Sequence, residues 1–169
     1  GPLAAQDAGE VRVVNGFNDE AERDRFTYAK GITVELVDEH ATEGTKAAKL
    51  TCAPAQRWCG LGIKRPHLAD WGDWDYFTFD VFNPNDEDVR IFVRIDDDQS
   101  RNSDYSTQYG RRFKLTPGAN RIRIKTSRMP NQVQPWLQRR LDPNRLKAWY
   151  LWFPNDLPEP MSLILDNFA

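Results

Sequence analysis

The chain has 169 residues, 23 Lys+Arg against 25 Asp+Glu and a formal net charge of −2. That length is enough to bury one core. The balance argues against a general nucleic-acid binder, which carries a strong basic excess. No run approaches the ~20 apolar residues of a bilayer span. The two cysteines form no CxxC and have no His cluster beside them, which argues against zinc.

Gly1-Pro2 resembles what protease cleavage of a tag leaves behind. Residues 1–10 therefore read as a lead-in, and 11–169 as one domain, with secretion left open. Residues 11–15 suggest a short first strand, followed by the polar loop Asn15-Gly16-Phe17-Asn18-Asp19. Residues 18–26 have room for one helical turn. Ile32, Val34 and Leu36 alternate with Thr33 and Glu35, which predicts a strand. Glu43-Gly44-Thr45 is a turn, and Ala48, Leu50 and Cys52 are the inner face of the next strand.

Cys52 and Cys59 read either as a disulfide or as two reduced, buried thiols. If paired, they close a small loop worth about 2–3 kcal/mol in the chain-entropy model. Residues 58–64 predict a strand with Cys59, Leu61 and Ile63 inward. Trp58, Gly60, Gly62 and Lys64 then face outward. Glycines on an outward strand face mark close approach by something else. Either the chain crosses over them or a ligand lies on them.

The stretch 71–97 reads as two alternating strands joined as a hairpin by Asn83-Pro84-Asn85-Asp86. The residues of that turn favour tight reversal. Phe77, Phe79 and Val81 share one face, as do Val89, Ile91, Val93 and Ile95. Arg90, Phe92, Arg94 and Asp96 lie opposite. A period of two is the signature of strands with one buried face. A polar loop, 98–108, carries Arg101, Asp104 and Tyr105. Strands at 111–115 and 120–126 are expected to form a hairpin through Thr116-Pro117-Gly118. Residues 135–141 are the best helix candidate, with Pro at the start and Leu137 and Leu141 one turn apart. Residues 146–153 and 161–168 are the last two strands. About ten short strands without βαβ alternation predict an all-β chain. The expected architecture is an antiparallel β-sandwich of jelly-roll type with one or two short helical turns.

Two constellations carry candidate chemistry. In a sandwich whose first and last strands are neighbours, oxygens of Asn18, Asp19 and Asp166 could meet around a hard cation such as Ca²⁺, which takes about six to eight oxygen ligands. The alternative is an aspartate capping loop amides. The second constellation is aromatic and charged. Flat rings can stack on the apolar face of a sugar, and Trp58, Tyr105, Tyr109, Trp149 and Trp152 are the candidates. Core packing is the competing explanation for each ring. Arg94 and Asp96 share a face and form a plausible hydrogen-bonding pair, with Asp96-Asp97-Asp98 otherwise a solvated strand end. Arg94, Arg112, Arg121, Arg123 and Lys125 make either a basic patch suited to an acidic glycan or a balanced solvated face. No GxSxG, P-loop or HExxH is present, which argues against an enzyme.

The order of several pieces resembles the carbohydrate-binding modules of the galactose-binding-domain-like superfamily, as appended to bacterial glycoside hydrolases. The pieces are NGFND (15–19), HATEGTKAAKLT (40–51), LADWGDWDYFTFDVFNP (68–84), VRIDD (93–97), LTPGANRIRI (115–124) and LILDNF (163–168). The resemblance implies a jelly roll with a structural Ca²⁺ between the N-terminal loop and Asp166. Asn18 or Asp19 would be a partner, and the backbone near Thr45 and Lys46 would complete the shell. In relatives a Glu commonly follows the Phe; here Asn18 follows Phe17. The metal set is therefore Asn18, Asp19, Lys46 and Asp166.

The ligand set rests on strand parity and exposure: Trp58, Arg94, Asp96, Tyr105, Tyr109, Arg112 and Trp149. The resemblance further implies a polysaccharide or oligosaccharide ligand, a catalytic domain in the full-length protein, and a secreted, periplasmic or cell-surface location. A monomer is expected. Two alternatives stand beside this reading. One is a structural domain that packs on a neighbour through Gly60, Gly62 and strand 146–153 and binds no glycan. The other is a jelly-roll polysaccharide lyase using Tyr109 with Arg112 or a carboxylate.

Overall fold

The computed structural model describes residues 9–68, 70–130 and 140–169. One helical turn, α1 (Glu20–Arg23), precedes ten strands: β1 (Phe26–Tyr28), β2 (Ile32–Val37), β3 (Ala47–Cys52), β4 (Gly60–Lys64), β5 (Tyr76–Asn83), β6 (Val89–Asp97), β7 (Tyr109–Leu115), β8 (Gly118–Lys125), β9 (Leu146–Trp152) and β10 (Met161–Asp166). A 3-10 turn, Tyr105–Thr107, lies between β6 and β7. Two antiparallel five-stranded sheets, in the orders β1-β4-β9-β6-β7 and β2-β3-β10-β5-β8, stack as a jelly-roll sandwich.

The alternating residues do what their period demands. Val89, Ile91, Val93 and Ile95 of β6 and Phe77, Phe79 and Val81 of β5 are all buried. They meet in a core of rings. Phe79 stacks on Phe168 at 5.5 Å, Trp149 meets Phe168 edge-on at 4.8 Å, and Phe17 stacks on Phe26 at 4.8 Å.

Both expected hairpins are crossovers instead. β5 pairs with β8 and β10, while β6 pairs with β7 and β9, so β5 and β6 belong to opposite sheets. The Thr116-Pro117-Gly118 turn likewise carries the chain from β7 in one sheet to β8 in the other. Consecutive strands here face each other across the core rather than edge to edge, and a period of two is identical in both arrangements. Buried Asn83 fixes the first crossing. Its amide donates to the carbonyls of Glu87 and Leu115, and its Oδ1 accepts from the Asn85 amide.

Residues 11–15 do not form a strand. Their pairing is limited to a bridge between Asn15 and Phe168, and Val11 and Val13 stay exposed. β4 begins at Gly60 because Trp58 takes a left-handed φ of 56°. The disulfide alternative is the one realised, and Cys52–Cys59 ties β3 of one sheet to the residue before β4 of the other. Of the expected helix at 135–141, residues 135–139 lie outside the described residues. Among the described residues no helix is long and apolar enough to cross a membrane.

Candidate functional site

Register builds the outer face of the β1-β4-β9-β6-β7 sheet. Pairing sets Gly60, Trp152, Phe92 and Arg112 in one cross-strand row. The next row holds Thr27, Gly62, Tyr150, Arg94 and Gly110. Residues directly opposite on paired strands share a face. Each row therefore puts a β4 glycine beside a β9 ring.

A Cβ at position 62 would lie 2.5 Å from Cδ1 of Tyr150, and one at 60 would lie 1.9 Å from the Leu151 carbonyl oxygen and 2.9 Å from Cδ1 of Trp152. The approach that the outward glycines signal thus comes from the chain's own β9, by its backbone at Gly60 and a ring at Gly62. Those rings are ordered against one another. Tyr150 and Trp152 lie 5.3 Å apart with planes 6° from parallel, and Phe92 extends the set at 6.0 Å and 16°.

A groove of about 560 Å³ covers this face, with Phe92, Trp152, Arg90, Arg94 and Arg112 in its lining. Trp58 and Tyr105 also line it and remain 55% and 53% exposed. Trp58 meets Trp152 edge-on at 5.6 Å, and its backbone N–H donates to Asn155 Oδ1 at 3.0 Å. The disulfide one residue later anchors the same segment to the core.

Tyr105 projects from the β6–β7 loop, which is tied internally. Ser100 Oγ donates to the Thr107 carbonyl at 2.6 Å, the Arg101 N–H donates to Thr107 Oγ1 at 2.8 Å, and Gln108 Nε2 donates to the Arg101 carbonyl at 2.6 Å. Asp104 caps the 3-10 turn, and the Ser106 hydroxyl bonded to it holds its carboxyl below the ordinary range.

Arg94 is fixed on three sides. It donates to both Asp96 oxygens at 2.8 and 2.7 Å and to Asn102 Oδ1 at 3.0 Å, and it sits 5.3 Å from the Tyr150 ring centre. Asp96 is only 4% exposed, so its role is to hold and neutralise Arg94 from below. The neighbouring acids are also engaged. Asp97 is buried and accepts from the Asp142 and Gln99 amides, and Asp98 pairs with Arg65. Asp96 and Asp97 are therefore not solvated, while Asp98, just past the strand, is exposed.

The structure thus gathers Trp58, Arg94, Tyr105 and Arg112 on one groove, with Asp96 beneath. Two members of the expected ligand set lie elsewhere. Trp149 is 0% exposed and packs on Phe79 and Phe168. Tyr109 is 4% exposed and belongs to the core, where burial pushes its hydroxyl pKa up. Tyr109 and Arg112 differ by an odd number of strand positions, so they face opposite sides of β7, which separates the pair imagined for a lyase.

The basic set is also divided. Arg121, Arg123 and Lys125 stand on β8 in the other sheet, with Arg121 bound to Asp80 and Arg123 over the Tyr76 ring. Outside the expected ligand set, Trp152, Arg90, Phe92, Asn102 and Asn155 also line the groove, and Tyr150 stacks on Trp152 beside it. Arg90 and Phe92 were legible as outward residues of β6. For β9 the parity signal is missing, because rings occupy both of its faces.

Of the expected metal residues, Asn18 and Asp166 both bind the loop 42–46. Asp166 Oδ2 accepts the Thr42 and Glu43 amides at 2.6 and 2.9 Å, and its Oδ1 accepts the Asn167 amide at 2.7 Å. Asn18 Oδ1 accepts the Thr45 and Lys46 amides at 2.9 and 3.3 Å. Asp19 caps α1, and the Lys46 amine pairs with Asp38.

A Ca²⁺ shell needs oxygens turned toward the ion. Here N–H donors point at the same oxygens, and among the described residues no group of three or more His, Cys, Asp or Glu is arranged to hold a metal. In this structure the carboxyl and amide oxygens cap loop amides. Burial pushes the Asp166 carboxyl up to about 6, against the lowering by its three backbone hydrogen bonds.

No protein-family model matches the chain, and no curated protein matches it by sequence. Solved structures do match in fold. The family 11 carbohydrate-binding module of the cellulosomal cellulase Lic26A-Cel5E of Clostridium thermocellum superposes with a TM-score of 0.64 at 12% identity, covering 95% of this chain and 94% of that one. An exo-β-agarase gives a TM-score of 0.69 at 13% identity, over 94% of this chain and 25% of the enzyme. The CBM22-1 and GH10 modules of a Clostridium thermocellum endo-1,4-β-D-xylanase, complexed with xylohexaose, give 0.55 at 10% identity, over 85% of this chain and 25% of theirs. The chain therefore has the fold of carbohydrate-binding β-sandwich modules. It spans about a quarter of each of those two larger proteins and nearly all of the isolated module.

Proposed function

We propose that this chain is a non-catalytic carbohydrate-binding module. It holds an oligosaccharide or polysaccharide chain in the groove over the β1-β4-β9-β6-β7 sheet. The observation that carries this reading is the set of ordered rings beside fixed polar groups on a solvent-facing sheet. Trp58 and Tyr105 offer exposed ring faces, and Phe92 and Trp152 supply apolar area between them. Sugar rings present C–H faces to such surfaces and hydroxyls to Arg94, Asn102 and Asn155. Apolar lining with a few placed polar groups is the general form of a ligand site. Arg94 is held before any ligand arrives, so little side-chain entropy is lost on binding. The two enzyme neighbours support a role as one module of a larger secreted, periplasmic or cell-surface protein, with a catalytic domain attached.

Affinity gel electrophoresis against a panel of soluble polysaccharides tests the proposal. At least one polymer should retard the protein, and Trp58→Ala and Trp152→Ala should abolish that retardation while the fold persists by circular dichroism. No retardation by any neutral or acidic polymer would overturn it.

A further inference from the structure

Given the groove reading above, we infer that the ligand is an anionic polysaccharide, one bearing carboxylate or sulfate-ester groups, and that Arg90 and Arg112 read its charge. Three arginines line the groove, and among its described lining residues there is no carboxylate. Arg94 is already neutralised by Asp96. Arg90 and Arg112 are exposed, and neither side chain makes a hydrogen bond or ion pair among the described residues.

Their placement is also unfavourable to the chain alone. Arg90 stands directly opposite Lys114 on the paired strand, and Arg112 is diagonal to Arg90, because its own partner is Phe92. Like charges opposed across a ladder destabilise a sheet. Asp88 lies 3.9 Å from Lys114 and so relieves that charge rather than the arginines. Guanidinium groups present a planar fork that matches carboxylate or sulfate oxygens two at a time. Two such forks beside the Trp152–Phe92 rings recognise a sugar that is apolar on one face and charged at its edge.

Matched polymer pairs separate charge from backbone chemistry. Polygalacturonate is compared with its methyl ester, and a sulfated galactan with the same galactan after desulfation, each by isothermal titration at 150 mM salt. At least one charged member should bind 10-fold or more tightly than its neutral counterpart. Arg90→Gln and Arg112→Gln should each lower that affinity 3- to 10-fold, and Trp58→Ala should abolish it. Lys125→Gln, an equal charge loss on the other sheet, should change nothing.

The carboxylate and sulfate arms tell which group is read. Trp58-dependent binding that is equal within both pairs would overturn this inference and leave the groove reading standing. No binding by any of the four polymers would overturn this inference, and the wider polysaccharide panel then decides the groove reading. A single-stranded oligonucleotide binding as tightly as the charged polymers, with the same Trp58 dependence, would overturn the sugar as the ligand class.

Discussion

Two tryptophans three residues apart on β9 should fail in opposite ways when truncated. Trp149 is fully buried and packs edge-on against Phe79 at 5.3 Å and Phe168 at 4.8 Å. Trp149→Ala should cost about 3–5 kcal/mol, from lost transfer energy and the cavity left behind. With a urea m-value of about 2 kcal/mol per M, the midpoint falls by about 2 M. Its indole N–H has no acceptor among the described residues, so Trp149→Phe keeps a ring and removes an unsatisfied donor. That variant should stay within about 1 kcal/mol of wild type.

Trp152 is half-buried on the groove face, and Trp152→Ala should cost only about 1 kcal/mol of stability. Glycan affinity should nonetheless fall by about 2 kcal/mol or more, roughly 30-fold, as for a ring at an interface hot spot. Urea melts and affinity gels on the three proteins give both numbers. If Trp149→Phe abolished glycan binding while Trp152→Ala preserved it, the assignment of faces on β9 would be wrong.

Reducing the disulfide, or replacing Cys52 and Cys59 by Ser, should lower stability by about 2–3 kcal/mol. The same change should weaken glycan binding, because Trp58 stands next to Cys59; unchanged affinity would remove the anchoring role. The Asp166 carboxyl rises from 3.8 to about 6 in the folded state, so its stabilising contribution is full below pH 3.8 and is lost as pH rises through about 6. Asp166→Asn should therefore flatten the difference in stability between pH 4 and 7 by up to about 3 kcal/mol, read from urea melts at each pH. A variant slope identical to wild type would refute the shift. EDTA should leave the melting temperature unchanged, since amide hydrogens occupy the Asp166 and Asn18 oxygens; a rise in melting temperature on adding Ca²⁺ would contradict that arrangement.

On β5 and β6 strand identity was legible residue by residue, because alternation there leaves one way to bury Phe77, Phe79, Val89 and Ile91, whereas the expected strand at 11–15 does not form. The short strand β1 escaped notice, since three residues are too few to establish a period. Convergence of Asn18 and Asp166 on one loop was also legible, from the closeness of the two chain ends in a sandwich. Which atoms would face those oxygens was not, because backbone N–H and C=O have no signature in side-chain sequence.

The sequence by itself determined the class of fold and the outward placing of Arg90, Phe92 and Arg94, since a two-residue period follows from strand geometry alone. Only the tertiary structure decided which strands pair, because crossovers and hairpins leave the same local pattern. Only packing decided the sides of β9 as well. Trp149 and Leu151 are as apolar as Tyr150 and Trp152, and the choice between them fell to Phe79 and Phe168 on one side and two glycines on the other.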